Sequence, residues 1–244
     1  MSDWRCAADY AYTQSLSAAQ WAWEFLRRNP DYQRDYRQFI AVWRALEDAY
    51  GAPPDRDFPA WKADPRAYVG ADDAAGEGCR VDQDKVLIEC ALGAKWGFHK
   101  FPKDPAIAAP DLDEAPAWRT ESVELPLIGR QDTDYLGADA ARVALGFDLS
   151  LPLGEQIERA KLKLGALKAA RRRAGTLIPR SIATLRARWT VYLRLLDAQA
   201  AGVDSDAALT VLSTEGQPVA AAELSEPRRL CTEAYRRIAG LPAG

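Results

Sequence analysis

Between Pro30 and Gly51 the chain carries one uninterrupted helical pattern of unusual aromatic weight. Tyr32, Tyr36, Phe39, Trp43, Leu46 and Tyr50 recur at steps of 4, 3, 4, 3 and 4, which places all six on one helix face. A stripe this apolar needs an opposing layer, so packing into the protein's own core is expected rather than display to a partner. Its limits are legible too. Asn29 can cap the helix, with Pro30 at the first position, Asp31 near the positive end and Gly51 closing it. A shorter helix precedes it. Ser17-Ala-Ala-Gln20 has the form of a capping box, and Trp21/Phe25 and Ala22/Leu26 follow as i, i+4 pairs. That helix ends at Asn29-Pro30, because proline disfavours the α conformation in the residue before it.

Residues 51–80 hold Pro53-Pro54, Pro59, Pro65 and a small-residue stretch, and read as a linker or long loop. Short strands are expected at Val86–Cys90, Trp96–Phe101, Val123–Ile128 and Arg142–Leu149. Helical patterning returns after Pro152, with Ile157, Ala160, Leu164 and Leu167 as one stripe and Gly175 as its end. A further helix over 181–201 places Ile182, Leu185, Trp189, Leu193, Leu196 and Ala200 within about 80° of one another, at ~100° per residue. Val191 and Leu195 lie on another side, so that helix is expected to be central. Shorter helices over 204–212 and 226–239 follow Gly202. The expected class is α+β, mainly α, divided into a helical region over 1–70, a β-containing middle region over 71–145 and a helical domain over 146–244.

Charge is unevenly shared. Residues 155–196 carry eleven Lys or Arg against two acids, a local net of +9 in a chain whose total is −3, so the other 202 residues sum to −12. A polyanion facing the basic stretch is the leading expectation. No apolar run approaches the ~18–20 residues of a membrane span, and the first residues lack the basic start and apolar stretch of a secretion signal. A cytoplasmic protein without membrane contact is expected, with Cys6, Cys79, Cys90 and Cys231 as reduced thiols.

Catalytic and metal chemistry finds little support. There is no G-x-x-x-x-G-K-[ST], G-x-G-x-x-G or G-x-S-x-G motif. His99 is the one histidine, nine residues from the nearest cysteine, with no nucleophile or acid partner nearby. It reads as structural rather than as a general base or zinc ligand. Asp132-Thr-Asp134 reads as a solvated pair rather than a cation site. Neither a cofactor, a metal nor an enzymatic activity is expected.

The basic run offers a specific chemistry. Arg171, Arg172 and Arg173, with Arg180, Arg186 and Arg188 nearby, can neutralise phosphates and so release counterions. Arginine's planar fork also matches phosphate oxygens and guanine edges. A mixed-sign solvated face is the alternative, against which stands the scarcity of acids. The helix over 181–201, the turn at Gly202 and the helices beyond are compatible with a helix-turn-helix-like layout, in which Arg228, Arg229, Arg236 and Arg237 add phosphate or base contacts.

Asp3-Trp-Arg5, Trp21-Ala-Trp-Glu-Phe-Leu-Arg-Arg-Asn-Pro-Asp-Tyr32 and Arg34-Asp-Tyr36 together resemble the transcriptional-regulator-like domain at the N-terminus of certain proteobacterial regulators. Phe147-Asp-Leu-Ser-Leu-Pro-Leu153 with Gln156, and Tyr192-Leu-Arg-Leu-Leu-Asp-Ala-Gln-Ala-Ala-Gly202, resemble parts of their C-terminal DNA-binding domain. The combination is similar to the RovC-like activators of type VI secretion genes and to activators that control transfer of integrative conjugative elements. The resemblance implies a variant helix-turn-helix that binds double-stranded promoter DNA, and self-association into a homo-oligomer. It departs after Leu212, where a longer basic segment is usual and Ser213–Glu226 is acidic and alanine-rich here.

The expected function is therefore a sequence-specific, DNA-binding transcriptional activator. Its acidic, aromatic N-terminal part would contact a second copy, RNA polymerase or another regulator. The rival expectation is an antiactivator, a protein-interaction module that occupies another transcriptional regulator.

Overall fold

Ser17 and Gln20 close their cap reciprocally. The amide of Gln20 donates to Ser17 Oγ at 3.3 Å and the amide of Ser17 donates to Gln20 Oε1 at 3.0 Å, opening helix α1 (Ala18–Leu26). Asn29 Oδ1 then accepts the amides of Asp31 and Tyr32 at 2.8 and 3.3 Å. That starts α2 (Pro30–Tyr50), which ends at Gly51. Both caps are those the sequence predicts. A 3-10 helix over Ala7–Ser15, which periodicity does not indicate, precedes them and buries Tyr10 and Thr13. The computed structural model describes residues 3–70, 80–82, 84–99, 101–119, 143–177 and 180–242.

The stretch after Gly51 is more ordered than a linker. Asp57 caps α3 (Phe58–Ala63), accepting the amide of Ala60 at 3.1 Å. A 3-10 turn leads from there to β1 (Tyr68–Gly70). With β2 (Arg80–Asp82) and β3 (Lys85–Leu87) it forms an antiparallel sheet of order β1-β3-β2, pairing Tyr68 with Leu87 and Val69 with Val86. The strand expected over Val86–Cys90 stops at Leu87, and α4 (Ile88–Lys95) takes over. Ile88 and Leu92, one turn apart, both pack on the core, so helical spacing wins over a short apolar run.

Over Trp96–His99 the chain turns rather than running as a strand. Gly97 has φ +82, and a Cβ there would lie 2.8 Å from Arg236 Nε. Only an isolated antiparallel bridge, Phe98 to Trp118, remains of the expected pairing. Residues 143–149 form no strand, and the candidate at 123–128 and the pair Asp132/Asp134 lie outside the described residues. The remaining helices are α5 (Leu153–Arg173), α6 (Ile182–Ala200), α7 (Ser205–Thr214), and a last helix in three pieces. These pieces are α8 (Glu226–Arg229), a π turn (Leu230–Ala234) and α9 (Tyr235–Ile238). The chain is thus α+β, mainly α.

Two compact units result, residues 1–121 with 181–244, and residues 122–180. In the first unit the N-terminal helices share one core with α6 and the last helix. Trp21, Trp23, Phe25 and Tyr32 are buried with Trp189, Leu193, Leu230 and Tyr235. Trp189 meets Trp21 edge-on at 5.3 Å and Phe25 at 5.8 Å, the geometry that the ring quadrupole favours. The aromatic stripe of α2 also faces inward, with Tyr32, Tyr36, Phe39 and Leu46 buried.

The charged groups inside this core are matched, whereas the buried indole Nε1 of Trp21 has no hydrogen-bond partner among the described residues. Fully buried Glu24 accepts from Tyr12 Oη, Arg27 Nε and the amide of Ala109 at 2.9, 2.8 and 2.7 Å. Arg28 links it to Asp197 on α6, which also accepts from Tyr10 Oη. Burial and the Asp197 carboxylate raise the Tyr10 phenol above its ordinary pKa, so it stays the donor.

Cys90 is disulfide-bonded, which corrects the expectation that all four cysteines are reduced. That expectation rested on chain length and compartment, and these say nothing about the close approach of two particular thiols. Cys6 and Cys231 are free, and burial pushes the Cys231 thiol up to about 12. Cys79 lies outside the described residues. Among the described residues no helix is long and apolar enough to cross a membrane.

Candidate nucleic-acid interface

Helix α5 is built from strong helix formers, Ala, Leu, Lys and Arg, over most of its length. Gln156 fastens its start, accepting the amide of Asp148 at 2.8 Å and donating to the Asp148 carbonyl at 2.9 Å. Arg171, Arg172 and Arg173 form its last turn, where cations complement the negative end of the helix dipole. Arg172 and Arg173 are exposed, Arg171 is half-buried, and Arg180 beyond the helix is exposed. Two of the helix's other cations are occupied locally, Arg159 by Glu155 and Lys161 by Glu158. Arg172, Arg173, Lys163 and Lys168 make no ion pair among the described residues.

In the other unit, most predicted contact residues are engaged by the protein itself. Arg188 on α6 is clamped by Glu223 and donates to the carbonyl of Pro218 at 2.6 Å. Glu223 also accepts from Tyr192 Oη at 3.1 Å. Its hydrogen bond from Arg188 outweighs its partial desolvation and holds the carboxyl below the usual range. Arg186 donates to the carbonyl of Gln14 at 3.1 Å. Arg229 pairs with Glu226 at 2.6 Å, and Arg236 donates to the carbonyl of Lys95 and to Tyr235 Oη. Arg228 and Arg237 are exposed.

One cation of the basic run is wholly internal. Arg194 is fully buried and donates to the carbonyls of Trp4 and Arg5 at 2.7 and 3.2 Å, to Gln217 at 3.1 Å and to Glu215 at 2.6 Å. The acidic stretch after Leu212 therefore has a structural task. Glu215, Glu223 and Glu226 each take one arginine, Arg194, Arg188 and Arg229. Net charge along the sequence cannot reveal this, because Arg194–Glu215 and Arg188–Glu223 join residues 21 and 35 positions apart.

The helix-turn-helix-like layout has a clear local basis. Gly202, at φ +74, lets α6 end in a left-handed cap, with the amide of Val203 donating to the Ala198 carbonyl at 3.0 Å. Asp204 then caps α7, accepting the amides of Asp206 and Ala207 at 3.0 and 3.4 Å. Trp4, Val191, Leu195, Ala198, Ala208 and Leu212 pack α7 onto α6. Between that turn and α8 runs an open groove of about 1020 Å³, lined by Gln199, Asp204, Ser205, Arg228, Arg229 and Thr232 among others. The sequence gives no sign of it, since it arises only when the Gly202 turn meets the last helix. Its lining carries both signs, Arg228 and Arg229 beside Asp204 and Glu233, and suits a polar surface. His99 is exposed, and its backbone amide donates to Ala117 at 2.8 Å.

Residues 3–57 match the family model described as the proteobacterial transcriptional regulator-like domain. This match supports a role in transcriptional regulation and points away from a catalytic one. No curated protein and no solved structure matches the chain significantly. The matched stretch contains Glu24 and Arg28, so the regulator-like segment carries the buried polar network that reaches Asp197.

Proposed function

We propose that the chain is a DNA-binding transcriptional activator whose exposed arginines grip the phosphates of double-stranded promoter DNA. The observation that carries the reading is the arginine turn at the end of α5, where Arg172 and Arg173 stand exposed without a carboxylate partner among the described residues. Arg180, Arg228 and Arg237 supply further exposed cations. Arg171, Arg186, Arg188, Arg229 and Arg236 position neighbouring backbone or exchange partners on binding. Sequence selectivity arises from the last helix, and two copies of the chain bind together, in line with the resemblance. Secretion or mobile-element transfer genes are the proposed targets, with RNA polymerase as the activator's contact. A gel-shift titration against the chain's own upstream DNA tests this. Binding that weakens steeply with salt supports it, and salt-independent binding or none rejects it.

A second reading is favoured by one specific observation. Glu223 and Glu226 already occupy Arg188 and Arg229, which a duplex would need. On that reading the protein is an antiactivator that binds another transcriptional regulator. Recovery of such a regulator in a pull-down, with no DNA shift, decides for it.

A further inference from the structure

Exposed large apolar side chains are concentrated in one short stretch. Val143, Leu145, Phe147, Leu149, Leu151, Leu153, Ile157, Leu162 and Leu164 all lie within it, while Phe58, Phe101, Ile107 and Leu224 are scattered elsewhere. Helix α5 buries no residue at all. Its apolar positions Leu153, Ile157, Ala160, Leu164 and Leu167 are spaced 4, 3, 4 and 3, the a/d repeat of a coiled-coil seam. They span about 80° of the helix surface at ~100° per residue, with Leu153 46%, Ile157 44% and Leu164 39% exposed. That seam is narrow and contains no aromatic ring, unlike the broad Trp- and Phe-bearing face of a helix that lies in a bilayer.

The residues beside the seam decide what fits on it. With Ile157 and Leu164 at a, the e positions include Lys161 and Lys168 and a g position is Lys163. Residues at e and g set partner choice through charge across the interface. A second α5 would set lysine against lysine in either orientation, at Lys163 against Lys168 when parallel and at like positions when antiparallel. Such like-charge contacts disfavour pairing. The complementary partner carries leucine or isoleucine at a and d, and glutamate or aspartate at e and g.

We infer that the seam of α5 is a docking site for an acidic amphipathic helix of a partner protein. Lys163 and Lys168, which make no ion pair among the described residues, select the partner's charge, joined by Lys161 when it exchanges Glu158 for the partner, and Leu153, Ile157 and Leu164 bury its apolar edge. Arg172 and Arg173, at b and c, lie off the seam, so the site is separable from the phosphate contacts of the DNA reading.

The test uses the full chain and two synthetic three-heptad peptides with leucine and isoleucine at a and d, one with glutamate and one with lysine at e and g. Fluorescence anisotropy is expected to show binding of the glutamate peptide only, weakened by added salt. Leu164→Asp, at an exposed position, is expected to reduce that affinity at least about tenfold while circular dichroism stays unchanged. Lys161→Glu/Lys163→Glu/Lys168→Glu is expected to transfer binding to the lysine peptide. Equal binding of both peptides, binding insensitive to L164D, or an apolar seam occupied instead by a second copy or an anionic vesicle overturns the proposal. Arg172→Ala/Arg173→Ala, which tests DNA binding, is expected to leave peptide affinity within about twofold.

Discussion

Arg28 grips Asp197 with two nearly parallel hydrogen bonds, Nε to Oδ1 at 2.7 Å and Nη2 to Oδ2 at 2.8 Å. The arginine lies in the regulator-like segment and the aspartate on α6, 169 residues later. The fork geometry suits guanidinium and carboxylate, and Arg28 is almost wholly enclosed. Removing one partner leaves the other desolvated and undercompensated. Arg28→Ala and Asp197→Asn are each expected to destabilise by ~3 kcal/mol, read from urea denaturation. The double variant is expected to cost less than the sum of the two, as interacting partners do. Strict additivity would show that the pair is not coupled.

Acid is expected to weaken the same core through Glu24. Burial opposes its charge, but Arg28, Arg27 and the amide of Ala109 together hold its carboxyl below the ordinary 4.5. A depressed folded pKa means the stabilisation is complete above 4.5 and is lost as pH falls through the folded value. Unfolding free energies measured from about pH 7 down to about pH 3 should therefore decline at the acid end. Glu24→Gln is expected to be less stable at neutral pH and to show a shallower decline.

Duplex binding should respond to which arginines are free. Arg172→Ala/Arg173→Ala is expected to lower the log–log salt slope by ~2, about one per lost phosphate contact. Arg229→Ala is expected to change it less, since Glu226 already neutralises that guanidinium. The readout is a salt series of gel shifts on one DNA fragment, and equal slopes for all three proteins would remove Arg172 and Arg173 from the interface.

Glycine substitution should give opposite results at two sites. Gly97→Ala forces a side chain to φ +82, with its Cβ 2.8 Å from Arg236 Nε, and is expected to destabilise by ~1–2 kcal/mol. Gly165→Ala, mid-helix in α5 with nothing within 4 Å of the new Cβ, is expected to raise helicity, worth ~0.8–1 kcal/mol of propensity. Thermal melts and circular dichroism compare the two.

Local grammar was the legible part of this chain. Ser17, Gln20, Asn29, Pro30 and Gly51 act within a few residues, and α1 and α2 begin and end where those residues direct. Gly202 and Asp204 likewise mark the α6–α7 turn. Trp96–Phe101 misleads because an alternating aromatic run looks extended, whereas the positive φ of Gly97 turns it. The cluster of positive charge over 155–196 is continuous along the chain but shared between two compact units. Residues 155–180 belong to one unit and 181–196 to the other. Arg194 and Arg188 look like surface cations until Glu215 and Glu223, 21 and 35 residues away, are brought to them. Pairings at that separation leave no periodic trace, so the candidate interface could be named by residue type but not by which residues remain free.

The clasp between Arg28 and Asp197 also fixes an order of events during synthesis. While a ribosome is still translating the middle of the message, Trp21 and Phe25 have no Trp189 to cover them and Arg28 has no counter-ion on α6. The amino-terminal helices must wait, half-dressed, for α6 to emerge. A chain terminated before α6 leaves those rings without the cover that Trp189 supplies.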